Sequence, residues 1–324
     1  MEAFTITEDF PKSEVEFDQR FSHPKACYEY LFAQKWPEGF ICSKCENGAY
    51  WFSKRELYIC TKCNHQHSLT AGTIMDSSKK PITYWFKAMW WFTTRKSGVN
   101  AVNLKELLGL GSYQTAWNWL QKLRRCTLRA NREKLSGRVE VDEFVIGGRR
   151  SGKRGRGAEH KTIVAAAVER DPIKPEIGRI RLHVMLDVTA FSLETFINEN
   201  IEPGSTVVTD AFSSYPSIVK EHNHFRVNQS KSGYQNDSLH GVHLVATLVK
   251  RLIRSTFQGR FEPKYLQNYL DEFVFRFNRR KSKYIGKKFM RIVQQVLNSV
   301  KVRWKDIRWD LDPISEYFAL ELSG

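Results

Sequence analysis

Two β-branched runs that end in aspartate constrain this chain more than any other feature. Val139-Glu-Val-Asp142 and Ser205-Thr-Val-Val-Thr-Asp210 read as half-buried or fully buried strands, and each delivers a carboxylate at or near its end. Carboxylates carried on separate strands of a sheet can converge. Two hard oxygen donors brought together repel each other unless a divalent cation sits between them, and Mg²⁺ or Mn²⁺ suits a phosphate substrate. A metal so held activates a water or a 3′-hydroxyl and stabilises the leaving oxygen.

The charge of the chain names the class of partner. Among 324 residues, 51 Lys and Arg stand against 35 Asp and Glu, a formal charge of +16, which points to a polyanion. No apolar run approaches the roughly 20 residues a spanning helix needs, so nucleic acid is expected rather than membrane. The start, Met1-Glu-Ala-Phe-Thr-Ile-Thr-Glu-Asp9, has neither a basic n-region nor an apolar h-region, and a soluble, cytoplasmic protein is expected.

Four of the six cysteines fall in two Cys-x-x-Cys pairs, Cys42/Cys45 and Cys60/Cys63, joined by a Gly- and aromatic-rich stretch. Each pair lets two thiolates converge from one tight turn, and two such turns on a β-hairpin complete a tetrahedral S₄ zinc site. A redox role would need a thioredoxin-like βαβ context, which is absent. His65 and His67 lie close enough to substitute as ligands, but the cysteines already fill the shell, so the Zn²⁺ is expected to be structural. Cys27 and Cys126 have no partner spacing and read as ordinary semi-buried thiols.

From Lys79 to about Ala130 the periodicity is helical. Ala101–Gly109, a glycine-containing turn and Tyr113–Arg125, with Ser112 as N-cap, give the helix-turn-helix pattern. Its second helix is expected to turn Gln114, Thr115, Asn118, Gln121 and Lys122 outward, able to read base edges or grip phosphate, with Trp117, Leu120 and Leu123 facing the core. A plain helical connector with solvated polar residues reads equally well from the same pattern.

The stretch Ile146–His160 is rich in glycine and cations, and cannot pack a core. Its Arg149, Arg150, Lys153, Arg154 and Arg156 suit a loop clamping a phosphate backbone, against the plainer reading of a solvated charge run. Strands over Lys161–Val168 and Arg179–Val188 and a helix over Leu193–Asn200 follow, before the Asp210 strand. The order β-β-β-α-β-α describes a mixed sheet covered by helices, the ribonuclease H type of arrangement.

Leu239–Thr256 has helical spacing, with Val242, Val245, Leu248, Val249, Leu252 and Ile253 on one side. His243 and Lys250, seven apart, share the opposite face and can address one phosphate. His243 follows Asp210 by 33 residues, so Asp142, Asp210, His243 and Lys250 form the skeleton of a polynucleotidyl transferase site, with the first three as metal ligands. Asp237 is off the Lys250 face and Glu272 sits on a later helix, so both compete poorly for the third position. Glu140, Glu143 and Asp187 read as solvating or salt-bridging groups. Phe261–Arg280 is an aromatic-rich amphipathic helix whose Tyr265, Tyr269, Phe273 and Phe277 read as core, with Arg276, Arg279 and Arg280 able to reach a DNA backbone.

With these residues in view, the chain resembles the insertion-sequence transposases of the ISXO type, a zinc-ribbon-bearing branch of the DDE transposase and retroviral-integrase superfamily. The resemblance runs from about residue 22 to 285. It rests on the four cysteines, Leu69-Thr-Ala-Gly-Thr-Ile74, Val139-Glu-Val-Asp-Glu143, Gly147-Gly148, Thr209-Asp-Ala-Phe-Ser-Ser-Tyr215, Val242-His243, Leu248-Val-Lys-Arg251 and Tyr269–Arg280. It implies metal-dependent cleavage at terminal inverted repeats and joining of 3′-hydroxyls to target DNA, by a homo-oligomer in the synaptic complex. Asp142 and Asp210 match the first two catalytic acids, while His243 stands where the superfamily's glutamate would be.

The expected architecture is a multidomain α+β and α/β chain. It has a zinc ribbon over 20–72, a helical, helix-turn-helix-like DNA-binding module over 78–132, a ribonuclease H-like mixed-sheet catalytic domain over 137–285 and an extension over 286–324. A non-catalytic zinc-ribbon and helix-turn-helix DNA-binding protein is the alternative. Such a regulator has no need of Asp142, Asp210 and the His243/Lys250 face, although a domesticated transposase retains the shape. A structure-selective nuclease of the same fold would share the site without an end-recognition module.

Overall fold

The computed structural model describes residues 8–129, 132–147, 161–171, 176–210, 221–227, 239–259 and 261–309. They fall into two compact units, one formed by the chain up to Thr127 together with the segment from Ser282, the other by Leu128–Lys281.

The first unit opens with α1 (Glu14–Arg20) and α2 (Pro24–Lys35). A three-stranded antiparallel sheet follows, β1 (Tyr50–Phe52), β2 (Tyr58–Cys60) and β3 (Gln66–His67) in that order. Tyr50 pairs with Cys60 and Tyr58 with His67, so the sheet carries the second cysteine pair at the end of its central strand. Phe32 of α2 packs on Tyr58 with centroids 5.0 Å apart, and Trp36 packs on Phe40. A ribbon too small to hold a core of its own thus borrows an aromatic face from the preceding helix.

Three helices follow, α3 (Ile82–Thr94), α4 (Ala101–Leu108) and α5 (Tyr113–Arg125). Asn100 caps α4, Gly109 ends it in the left-handed conformation at φ 57°, and Ser112 caps α5 by accepting from the Gln114 amide. Trp85 of α3 stacks on Trp119 of α5 at 3.9 Å.

The second unit is built on a five-stranded mixed sheet. Its strands are β4 (Arg138–Ile146), β5 (Thr162–Arg170), β6 (Ile177–Met185), β7 (Thr206–Asp210) and β8 (Asn223–Val227), in the order β6-β5-β4-β7-β8. β4, β5 and β6 are antiparallel neighbours, whereas β7 and β8 run parallel to β4. Helix α6 (Ala190–Asn200) lies on one face, where Leu193, Phe196 and Ile197 meet Val139, Val141, Ala165, Ala167 and Val207. The opposite face takes α7 (His240–Thr256) and α8 (Leu266–Phe277). Because side chains alternate along a strand, Glu140, Asp142 and Phe144 are directed to this second face. Strand β8 has no counterpart in the sequence reading: it is short, and its outer residues are exposed.

After the second unit the chain returns. α9 (Gly286–Leu297) and α10 (Trp304–Trp309) belong to the first unit, and Phe289 is fully buried in its aromatic core beside Phe17, Phe21, Tyr30, Phe86 and Trp90. Trp304 meets Trp117 edge to face. Residues 286–309, read from sequence as an extension without visible chemistry, are therefore part of the N-terminal core.

Strand β6 is an edge, and side chains of α8 and of the residues just after it close it. Asn278 accepts from the Ile180 amide at 2.8 Å and donates to the Ile180 carbonyl at 3.1 Å. Gln267 does the same at Val184 N and Leu182 O, and Arg280 donates to the carbonyls of Gly178 and Ile177. These groups stand where a further strand would pair, which blunts the edge against another sheet. Replacing Asn278 by Leu leaves both Ile180 groups unpaired at a cost of about 1–3 kcal/mol. The expected result is a lower urea midpoint for loss of sheet circular dichroism, with added self-association; a wild-type curve would show that the edge bonds contribute nothing.

Candidate active site and metal centre

β4 and β7 pair in parallel with Arg138 opposite Thr206, Val139 opposite Val207 and Glu140 opposite Val208. Carrying this register forward two residues sets Asp142 level with Asp210 on adjoining strands, with both side chains on one face. Asp142 sits opposite Ala166 of β5, whose small side chain leaves the space above the acid open. One Asp142 oxygen accepts from the Glu143 amide at 2.8 Å, and the other lies 3.6 Å from His243 Nε2.

Burial pushes the Asp142 carboxyl up to about 6, with the charges of Glu143 and Asp210 adding to the rise. A half-enclosed acid beside a second acid is short of positive charge, which is the electrostatic condition a divalent cation relieves. Two carboxylates and an imidazole nitrogen are a donor set suited to such an ion. Among the described residues only the four cysteines bring three or more ligand atoms within 4.8 Å of one another, so the acids and His243 stand as an open arrangement.

Helix α7 is registered on β4 at three points. Glu140 accepts from the Val242 amide at 3.1 Å, Asp142 faces His243, and the Lys250 ammonium lies 5.5 Å from the centre of the Phe144 ring. Four residues of strand and nine of helix each span about 13 Å, so the steps from Glu140 to Phe144 and from Gly241 to Lys250 match in length. A cleft of about 430 Å³ opens between them, lined by Asp142, Glu143, Phe144, His243, Thr247 and Lys250 among others. A second groove of about 610 Å³ continues along α7 past Lys250, Arg251 and Arg254.

In the first unit the four cysteine sulfurs come together. Cys42 and Cys63 Sγ are 3.6 Å apart and Cys45 and Cys60 Sγ 3.5 Å. A tetrahedral shell with bonds of about 2.3 Å requires edges of roughly 3.8 Å, so the quartet fits Zn²⁺. The two knuckles repeat one geometry. Glu46 N donates to Cys42 O and Asn64 N to Cys60 O, and both Glu46 and Asn64 take a left-handed φ of 58°. His67 is not in the quartet: its Nε2 lies 3.4 Å from Cys42 Sγ, and Asn47 donates to Cys60 Sγ. Both contact the sulfurs from outside the shell.

Two family models match the chain. One, an ISXO2-like transposase domain, covers residues 134–278 and so takes in Asp142, Asp210, His243 and Lys250; the other, a transposase zinc-ribbon domain, covers residues 24–66 and takes in all four cysteines. The chain belongs to the ISXO2-like transposases. No curated protein matches it. As a transposase of this kind it is a DNA-associated, nucleic-acid-processing protein, and among its described residues no helix is long and apolar enough to cross a membrane.

Several residues that the sequence assigned to DNA lie elsewhere in this transposase. Lys122 is half-buried and donates to the Ile74 carbonyl at 3.1 Å, and Gln121 is fully buried, because α5 is covered on this side by other parts of the first unit. Arg276 is likewise buried, paired with Glu272 at 3.1 Å on the preceding turn of α8, so its charge is neutralised within the domain. Arg279 turns back over the Phe275 ring and donates to the Phe275 carbonyl. Gln114 is exposed at the start of α5, while Asn118 is half-buried with its carbonyl oxygen enclosed. Trp117, expected in the core, is half-buried, and Cys27 and Cys126 are buried rather than semi-buried, with burial pushing both thiols up to about 12. Arg149, Arg150, Lys153, Arg154, Arg156 and Asp237 lie outside the described residues. The sequence reading passed over Phe144, Arg251 and Arg254, although Arg251 and Arg254 fall eight and eleven residues after His243, on its helical face.

Two results are expected. Purified protein carries one zinc per chain by elemental analysis, Cys60→Ser loses it, and His67→Ala retains it; full zinc in Cys60→Ser would overturn the quartet. Asp142 has a folded value above its unfolded one, so its ionisation costs stability. The cost is absent below about pH 4, grows as pH rises, and is complete above about pH 6, reaching on the order of 3 kcal/mol without a bound cation. Asp142→Asn should therefore melt higher than wild type at pH 7.5 in chelator, with the gap closing near pH 4; equal melting at both values would refute the charge shortage.

Proposed function

We propose that this chain is the transposase of an insertion sequence that binds the element's terminal inverted repeats, cleaves a DNA strand at them and joins the 3′-hydroxyl to target DNA. The observation that carries the reading is the register that brings Asp142 level with Asp210, with His243 3.6 Å from Asp142 and Asp142 short of positive charge. A regulator that only binds DNA gains nothing from a buried acid at that cost. The strand order β6-β5-β4-β7-β8 supports a ribonuclease H-like reading of the second unit, and the α4–Gly109–α5 turn supports a helix-turn-helix reading in the first.

Asp142, Asp210 and His243 would hold Mg²⁺ or Mn²⁺. Bound there, the metal would acidify the attacking water or hydroxyl and stabilise the leaving 3′-oxygen. In cleavage the water oxygen bonds to phosphorus as the P–O3′ bond breaks; in joining, the freed 3′-hydroxyl attacks a target phosphate and a target 3′-oxygen leaves. Lys250, 5.5 Å from the centre of the Phe144 ring and lining the cleft, would hold a non-bridging phosphate oxygen there. Arg251 and Arg254 continue the cationic track along the DNA backbone. Gln114 at the start of α5 would meet the terminal repeat, and the cations of 149–156 would add phosphate contacts. Pairing two element ends calls for a homo-oligomer.

The test is nicking and strand transfer on a supercoiled plasmid bearing the element's ends. Asp142→Asn and Asp210→Asn are expected to lose at least about a hundredfold in rate, with DNA affinity retained. His243→Ala should lose activity and His243→Glu keep it, and Mn²⁺ should exceed Mg²⁺ for wild type because imidazole is the poorer Mg²⁺ ligand. Wild-type nicking that persists in chelator, or in Asp142→Asn, would sink the reading.

A further inference from the structure

Glu140 is almost fully buried, yet the catalytic scheme leaves it unused. It lies two residues before Asp142, on the same strand face, and its carboxylate meets the first turn of α7. Oε2 accepts from the Val242 amide at 3.1 Å, the Gly241 amide also donates to it, and Arg170 Nε approaches Oε1 at 3.1 Å. The opening amides of a helix have no partners within it and carry the positive end of its dipole, so a carboxylate here anchors the helix as well as neutralising it. Helix α7 has no side-chain cap of its own.

Gly241 shows how closely the two are fitted. A Cβ at this position would lie 2.7 Å from Glu140 Oε2, 3.1 Å from Arg170 Cδ and 3.1 Å from Val168 Cγ1. The helix therefore approaches the strand as near as a bare backbone allows, one and two residues before His243. The contact that sets the height of α7 and the contact between Asp142 and His243 are neighbours on both elements, so a shift at the first is transmitted to the second.

We propose that Glu140, with Gly241, is a positioning residue that holds His243 over Asp142, so that it controls cation affinity at the acid site without touching cation or DNA. This rests on the reading of Asp142, Asp210 and His243 as the divalent-metal site, and it assigns a role to a carboxylate that otherwise reads as one half of a buried salt bridge.

The experiment measures Mn²⁺ binding to full-length protein by electron paramagnetic resonance, with thermal melting and plasmid nicking alongside. Glu140→Ala should weaken Mn²⁺ binding about tenfold, as His243→Ala does, and the double variant should be no weaker than His243→Ala alone. Gly241→Ala keeps both buried charges, covers the case in which Glu140→Ala fails to fold, and should lower Mn²⁺ affinity too. Thermal melting of the same variant reads any loss of stability from the crowded Cβ separately from the loss of Mn²⁺ affinity. Glu140→Gln, which keeps an acceptor oxygen for the amides, should retain more affinity than Glu140→Ala. Multiplying effects in the double variant, or wild-type Mn²⁺ affinity in both Glu140→Ala and Gly241→Ala, would overturn the proposal. Mn²⁺ binding by wild type without nicking would overturn the transposition chemistry and leave this inference standing; absence of Mn²⁺ binding, with and without DNA, would overturn both.

Discussion

The second unit depends on the seating of α7 against one face of β4. A strand presents every second residue to a given side, and Glu140, Asp142 and Phe144 use three consecutive such positions to meet Gly241 with Val242, His243 and Lys250. The three contacts differ in kind: a carboxylate on backbone amides, an acid facing an imidazole, and an ammonium over a ring. On the proposed reading the middle one serves the metal and Lys250 of the third also serves the phosphate. The outer two seat the helix on either side of the middle one.

That arrangement has an energetic consequence. Asp142 is enclosed beside Asp210 and Glu143, and its ionised form is disfavoured in the folded chain. The hydrophobic face of the sheet supports this cost. Val139, Val141, Ala165 and Ala167 point to α6, and the buried alanines let helices approach closely on both sides of β5. A stable apolar layer on one face thus allows an unstable polar cluster on the other, a trade that sites of this kind commonly show.

Much of this was legible in the sequence, for particular reasons. The two acid-tipped strands, the cysteine spacing and the seven-residue step from His243 to Lys250 are local patterns with one geometric meaning each. Strand β8 was not legible because it is short and exposed, and its pairing is decided by β7 rather than by its own residues. The polar face assigned to α5 failed at Gln121 and Lys122 for a similar reason. A polar residue on an amphipathic helix points outward only where nothing covers it, whereas segments far along the chain return to the first unit, and Lys122 finds its partner at Ile74. Arg276 misled through the same assumption, because the Glu272 that neutralises it is visible at i−4 but its burial is not. Glu140 reads from sequence as a solvating or salt-bridging group, and it is buried and paired with Arg170; that it also meets the start of α7 requires knowing that Gly241 stops against it.

The cysteine quartet and the proposed acid site separate by donor chemistry and by how many ligands their scaffolds bring together. In the ribbon, two turns each fold back on themselves through Cys42 O and Cys60 O, and four soft donors converge whatever else binds. Such a shell leaves no position for a substrate oxygen, so it can only hold structure. At the acid site the donors come from two strands and a helix distant in sequence, and they stop short of a closed shell. The positions a cation would leave open there face a cleft whose remaining wall is Lys250, with Arg251 and Arg254 beyond it. Positive side chains at that edge complement a phosphate, not a further acid. On the proposed reading, the geometry that keeps the acids from closing on a cation is the geometry that would admit a DNA backbone, and the third donor could be an imidazole because α7, rather than the ion, determines where it stands.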